Sequence, residues 1–139
     1  VLHPHASSPS AGRGDNETSL VLAVETAGRR VLLTGDLEGE ALERFVATGP
    51  GRCDVLVAPH HGSRASLSVP LLEATAPQWV IVSGAGGPRW PDLERDWIAA
   101  AGGARVVRTE GAVHVSLSAA GTTASRYDAG RWEPLGAGR

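Results

Sequence analysis

A chain of 139 residues, 42% of them hydrophobic and 20% charged, is long enough for one domain with a core of ordinary size. Its formal charge of −2 supplies no global basic field for nucleic acid, and the single Cys53 excludes an internal disulfide and a cysteine-based zinc site. No run approaches the ~20 apolar residues of a membrane helix and no signal peptide is visible, so no membrane insertion is expected of the chain. All 13 basic residues are arginine, a compositional bias that marks no site.

The chain opens on Val1-Leu2-His3-Pro4-His5 and runs into a Ser/Pro/Gly-rich stretch that reads as a loop, so His3 and His5 are expected at the surface. An opening at Val1 without Met, in what looks like a strand end, suggests a fragment of something longer. Residues 19–25 and 30–34 are apolar strands joined through Gly28 as a hairpin. Over 37–48, Leu37, Ala41, Leu42, Phe45 and Val46 trace one helical face, with Asp36 as its cap and Gly49-Pro50 as its stop. A buried strand follows at 55–57, then a helix over 66–76 ended by Pro77, a third apolar strand at 78–83 and a Gly-rich loop from Gly84 to Pro91. Pro91 suits the first turn of a helix running to about 101, where Gly102-Gly103 end it. Strands are expected at 105–108 and 112–117, an edge strand at 122–127, and an irregular tail from Gly130. No internal repeat or domain boundary is visible, so residues 1–139 are expected to form one domain.

This order predicts an α/β fold with a mixed sheet and its helices on one face. Parallel strands that are apolar on both faces need cover on both, and the predicted elements supply it for one face only. The deficit again suggests a missing N-terminal half.

Two strands end in chemistry. One runs Arg30-Val-Leu-Leu-Thr34-Gly35-Asp36, and the other Val55-Leu-Val-Ala-Pro-His60-His61-Gly62-Ser63. Their ends lie 24 residues apart, the length of a right-handed βαβ crossover, which sets neighbouring parallel strands side by side. Asp36 and the histidine pair should therefore meet at the carboxyl edge of one sheet, where open α/β sheets hold ligands. Adjacent histidines after a buried strand cannot both face a core, because successive side chains alternate. Neutral imidazole with carboxylate suits zinc, manganese or iron, so Asp36, His60 and His61 are the candidate metal ligands. Asp36 and His60 are also the candidate catalytic groups, and Ser63 and Asn16 the candidate substrate contacts. Turn chemistry is the competing reading for Asn16 and helix capping for Asp36. His114 alternates with Val113 and Val115 and is expected on an outward strand face. Trp79, Trp90, Trp97 and Trp132 lack the spacing of a base-stacking ladder and are expected to anchor core or loops.

Several stretches, taken in order, resemble one family: VLHP at Val1, DNETSLVL at Asp15, LLTGDLEGEALE at Leu32, VLVAPHHGS at Val55, the P-x-x-x-I-V-S-G run at Pro77, and V-x-R-T-x-x-G-A-V at Val106. They resemble the C-terminal metallo-β-lactamase-fold domain of ComEC-type DNA-internalisation proteins of bacterial competence, over residues 1 to about 117. The resemblance implies the C-terminal half of an αββα sandwich with a dinuclear Zn²⁺ or Mn²⁺ site. In that site Asp36 bridges the metals, one of His60 and His61 is a ligand, and the other serves acid/base chemistry or substrate contact. It also implies a metal-dependent hydrolase, a phosphodiesterase or nuclease with DNA as substrate, and a parent protein in the bacterial inner membrane with this domain outside the cytoplasm. The alternatives are a non-catalytic domain of such a transporter and a soluble metallohydrolase of the same fold acting on a small substrate. The N-terminal half of the same domain and the membrane channel region become its partners. The chain departs from the family twice. The His-x-His-x-Asp-His motif of the N-terminal half is absent, and Trp90 stands where a histidine is usual. The full two-metal site is therefore not expected from this chain alone; the chain is either a fragment of the active domain or a degenerate, non-catalytic one.

Overall fold

The computed structural model describes residues 1–4, 15–84 and 90–137. Five strands form one sheet: β1 (Leu22–Thr26), β2 (Arg29–Leu33), β3 (Val55–Val57), β4 (Trp79–Val82) and β5 (Arg105–Arg108), in that spatial order. The β1–β2 pair is antiparallel, and β2 through β5 run parallel. Ala27 and Gly28 make the hairpin turn, both at positive φ (51° and 72°), the backbone that a two-residue loop needs to match strand twist. Residues 2 and 3 add a short pairing on the outer side, where Leu2 N–H donates to Val21 O and Val21 N–H to His3 O.

Among the described residues three helices cover one face: α1 (Gly39–Ala47), α2 (Val69–Thr75) and α3 (Trp90–Ala100). Parallel register stacks Leu32, Leu56 and Val80 in a row, and these pack with Leu37, Leu42 and Phe45 around α1, Leu71 and Leu72 of α2, and Trp97 of α3. Burying each such side chain contributes about 1.5–3 kcal/mol. Ser68 caps α2 by accepting Leu71 N–H, with Pro70 in the first turn. The helix predicted from residue 66 starts three residues later because Ser63 caps a 3-10 turn, Arg64–Ser66, in its place. Helix α1 likewise begins after Glu38, not at Asp36, which leaves Asp36 outside the helix it was expected to cap.

The opposite face corrects the sequence reading most. Strands β6 (Val113–Ser118), β7 (Gly121–Asp128) and β8 (Arg131–Ala137) form a separate antiparallel sheet, with β7 at its centre and not at an edge. The tail expected to be irregular from Gly130 is β8. Alternation along β6 turns Val113, Val115 and Leu117 inward, where with Ala124 and Leu135 they pack on Val55, Trp79, Ile81 and Val107. The chain itself thus covers much of the sheet's second face, which had seemed to need a missing half. Arg29 latches the sheets, donating to Ser118 O and Ala119 O and pairing with Asp54. Trp132 is a further correction: it is half exposed on the outer face of β8, against Tyr127 and His114. His114 does face outward, as its alternation required.

The carboxyl ends of the parallel strands as a candidate functional site

Strand β2 leaves the sheet through Thr34, Gly35 and Asp36. The buried Thr34 hydroxyl donates to Val57 O at 2.6 Å, and His60 N–H donates to Gly35 O at 2.9 Å. Gly35 takes φ 55°, and a Cβ there would sit 3.0 Å from Leu20 O. These contacts hold the exits of β2 and β3 side by side.

Strand β3 leaves through an unusual turn. His60 (φ 45°, ψ 52°) and His61 (φ 56°, ψ 21°) both lie in the left-handed region, and Gly62 follows at φ 75°. For a non-glycine residue this backbone costs about 1–3 kcal/mol and persists only when its surroundings over-determine it. Here they do. Ser66 Oγ donates to Pro59 O at 2.6 Å, Ser63 N–H to His60 O at 2.9 Å, and the buried Trp97 indole N–H to Gly62 O at 2.8 Å. Neither Gly62 nor Gly84 has room for a side chain: a Cβ on Gly62 would run into Val82, and one on Gly84 would meet His61 O at 2.8 Å.

The turn aims the two imidazoles at different carboxylates. His61 Nε2 lies 3.5 Å from Asp36 Oδ1, and its Nδ1 is hydrogen-bonded to Ser83 Oγ at 3.1 Å. His60 Nδ1 lies 2.6 Å from Glu38 Oε2. The ring centroids are 6.2 Å apart. Glu38 Oε1 accepts a second hydrogen bond, 2.8 Å long, from Asn16 Nδ2. The Asn16 amide first, and His60 second, hold the Glu38 carboxyl below the ordinary carboxylate range, because both stabilise its charged form. An open cavity of about 550 Å³ lies beside the pair, lined by His60, His61, Ser63, Ser83, Trp90 and Leu93.

Asp36, His60 and His61 are thus brought together as the strand-end argument required. Ser63 lines the cavity, but its hydroxyl is engaged with Ser66 as a cap. Asn16 sits in the 3-10 turn Asp15–Thr18 and holds Glu38. Glu38 is the residue that sequence reasoning missed; inside the helix expected over 37–48 an acidic residue in the first turn is ordinary, and nothing local reveals that its partner lies 22 residues on. His3 is buried rather than at the surface, bonded to Ser19 O and edge-on to Phe45, and His5 lies outside the described residues. Trp90 is nearly buried, with the Arg108 guanidinium 5.2 Å from its ring centre, and residues 85–89 of the loop before it lie outside the described residues.

Among the described residues no group of three or more His, Cys, Asp or Glu is placed to hold a metal ion. A zinc site takes four ligands, or three and a water, so Asp36 and His61 do not make a complete set.

No family model matches the chain. It is 36% identical over 91 residues to ComE operon protein 3 of Bacillus subtilis, 38% over 90 residues to Recombination protein 2 of Haemophilus influenzae, and 34% over 118 residues to Competence protein ComA of Neisseria gonorrhoeae. The matches take in 65%, 65% and 81% of this chain but only 11%, 11% and 17% of those proteins. The homologues are thus competence-type proteins at 34–38% identity, which bears out the competence side of the resemblance. Among the described residues no helix is long and apolar enough to cross a membrane.

Proposed function

We propose that this chain belongs to the DNA-handling machinery of a competence-type uptake protein and forms one side of a metal-dependent hydrolase site of the metallo-β-lactamase-like αββα type, acting on DNA phosphodiesters. The observation that carries this reading is the convergence of Asp36, His61 and His60 at two parallel strand ends, on a turn whose two histidines are held in left-handed backbone. Strained, over-determined backbone of this kind clusters at functional sites, and here two adjacent histidines carry it. The parent is an inner-membrane DNA-transport protein that carries this domain outside the cytoplasm. Because Asp36 and His61 fall short of a metal site, the further ligands are expected from elsewhere in the parent protein. When bound, Zn²⁺ or Mn²⁺ supplies Lewis-acid chemistry. This chain's own residues bind and orient: Asp36 and His61 present ligand atoms, His60 offers a proton-accepting nitrogen, and Trp90 and Leu93 wall the cavity.

A second reading is favoured by Trp90, whose indole stands in the cavity wall beneath Arg108 where the family has a histidine. In that reading the domain is a non-catalytic interaction module of the same transporter.

Titration calorimetry and a DNA-cleavage assay separate the two. The 139-residue chain is expected to bind Zn²⁺ or Mn²⁺ weakly, to lose that binding with Asp36→Ala or His61→Ala, and to leave DNA uncut. The parent protein is expected to cut DNA in Zn²⁺ or Mn²⁺ and to stop with His61→Ala. A parent inert with both metals supports the interaction module. Two metals bound firmly by the chain alone, or DNA cleavage by it that Asp36→Ala abolishes, would overturn the half-site account.

A further inference from the structure

Glu38 occupies the N-cap position of α1 in extended backbone (φ −150°, ψ 178°), yet its carboxylate accepts no hydrogen bond from the helix. An N-cap side chain that accepts a helix N–H ordinarily contributes about 1 kcal/mol. Glu38 forgoes it. One of its oxygens goes to the Asn16 amide at 2.8 Å and the other to His60 Nδ1 at 2.6 Å. The chain of contacts runs from a 3-10 turn ahead of β1, through the start of α1, to the turn after β3, so Glu38 links three separate elements.

The chemistry of this contact has one solution. An ionised carboxylate carries no proton and can only accept, so His60 Nδ1 must be the donor. Asn16 presents its N–H, another donor, to the other oxygen, which keeps the carboxylate in its accepting role and fixes its plane. In a neutral imidazole a proton on Nδ1 leaves a lone pair on Nε2. His60 is a third exposed and lines the cavity, so Nε2 is the ring nitrogen left for whatever enters there.

We infer that Glu38, itself held by Asn16, is a positioning residue that fixes His60 as the Nδ1–H tautomer and reserves Nε2 as an acceptor in the cavity. This deepens the hydrolase reading and rests on it for its purpose, though not for its test. His61 has a different pair of partners, Asp36 and Ser83, and serves as the internal control.

Imidazole nitrogen NMR on the ¹⁵N-labelled 139-residue chain at pH 8, with no metal or DNA present, reads the tautomer directly. His60 in the unaltered chain is expected to be mostly Nδ1–H. Glu38→Ala is expected to shift the ratio several-fold toward Nε2–H, the form favoured by free histidine side chains, while the His61 resonances stay in place. Glu38→Gln, whose amide oxygen still accepts, is expected to keep the Nδ1–H form, and Asn16→Ala to weaken it. Should Glu38→Ala fail to fold, the contrast between Glu38→Gln and Asn16→Ala carries the same test. A His60 that is mostly Nε2–H in the unaltered chain, or a ratio unmoved by both Glu38→Ala and Asn16→Ala, overturns the inference. Failure of the hydrolase reading would leave this spectrum untouched, so the two are distinguishable.

Discussion

At the scale of single residues, the site rests on positions where a side chain is forbidden as much as on those where one acts. Gly62 combines φ 75° with a Cβ position that Val82 already fills. Gly62→Ala adds left-handed strain of about 1–2 kcal/mol and overpacking of about 1–3 kcal/mol. We expect a loss near 3 kcal/mol in urea denaturation. Cys53 is buried, and removal from water pushes its thiol up from 9.0 to about 11. A group whose folded pKa is raised contributes stability that is complete below the unfolded value. That contribution, at most about 3 kcal/mol, is lost as pH rises from 9 through 11, and Cys53→Ala or Cys53→Ser should flatten this alkaline limb. The folded thiol should also resist alkylation at pH 8 until denaturant is added. Glu38 behaves with the opposite sign. Its lowered carboxyl contributes stability above its ordinary value of 4.5 that is lost as pH falls further, so Glu38→Ala should make the acid transition shallower.

At the scale of elements, the hairpin and the turns show where local chemistry was sufficient and where it was not. The β1–β2 turn is legible from Gly28 alone, but its first central residue, Ala27, is an exposed alanine at φ 51°. Asparagine tolerates this backbone better. Ala27→Asn is therefore expected to raise stability by up to about 1 kcal/mol, read as a higher urea midpoint with an unchanged slope. Helix α1 starts later than its apolar spacing alone predicts. Leu37 is fully buried and keeps the helical apolar spacing, yet it precedes the helix, because the chain must first turn from the end of β2 to place Asp36 beside His61.

At the scale of the whole molecule, two apolar layers meet on one sheet. Ala124 is the small residue of β7 that lets the second sheet approach Val55 and Trp79. Ala124→Asp would bury a charge without a partner between the sheets, and we expect a loss of about 3 kcal/mol or more together with dye binding to the uncovered face. Unchanged stability would mean that the layers do not pack as described.

The sequence by itself determined the parallel α/β core and the meeting of Asp36 with the histidine pair. Both follow from short-range facts: apolar runs of strand length, a crossover of the right span, and residues that cannot continue a strand. Competence-type kinship was also legible, since motif order survives in the linear chain. Only the tertiary structure decided the second sheet, the burial of His3, the exposure of Trp132 and the role of Glu38. Each depends on a partner far along the chain. The tail from Gly130 carries Gly, Pro and charge, and it becomes a strand because β7 offers it unpaired backbone groups to satisfy. Glu38 looks like an ordinary first-turn residue of the helix expected over 37–48 until the fold brings His60 and Asn16 to its two oxygens, and no periodicity encodes that.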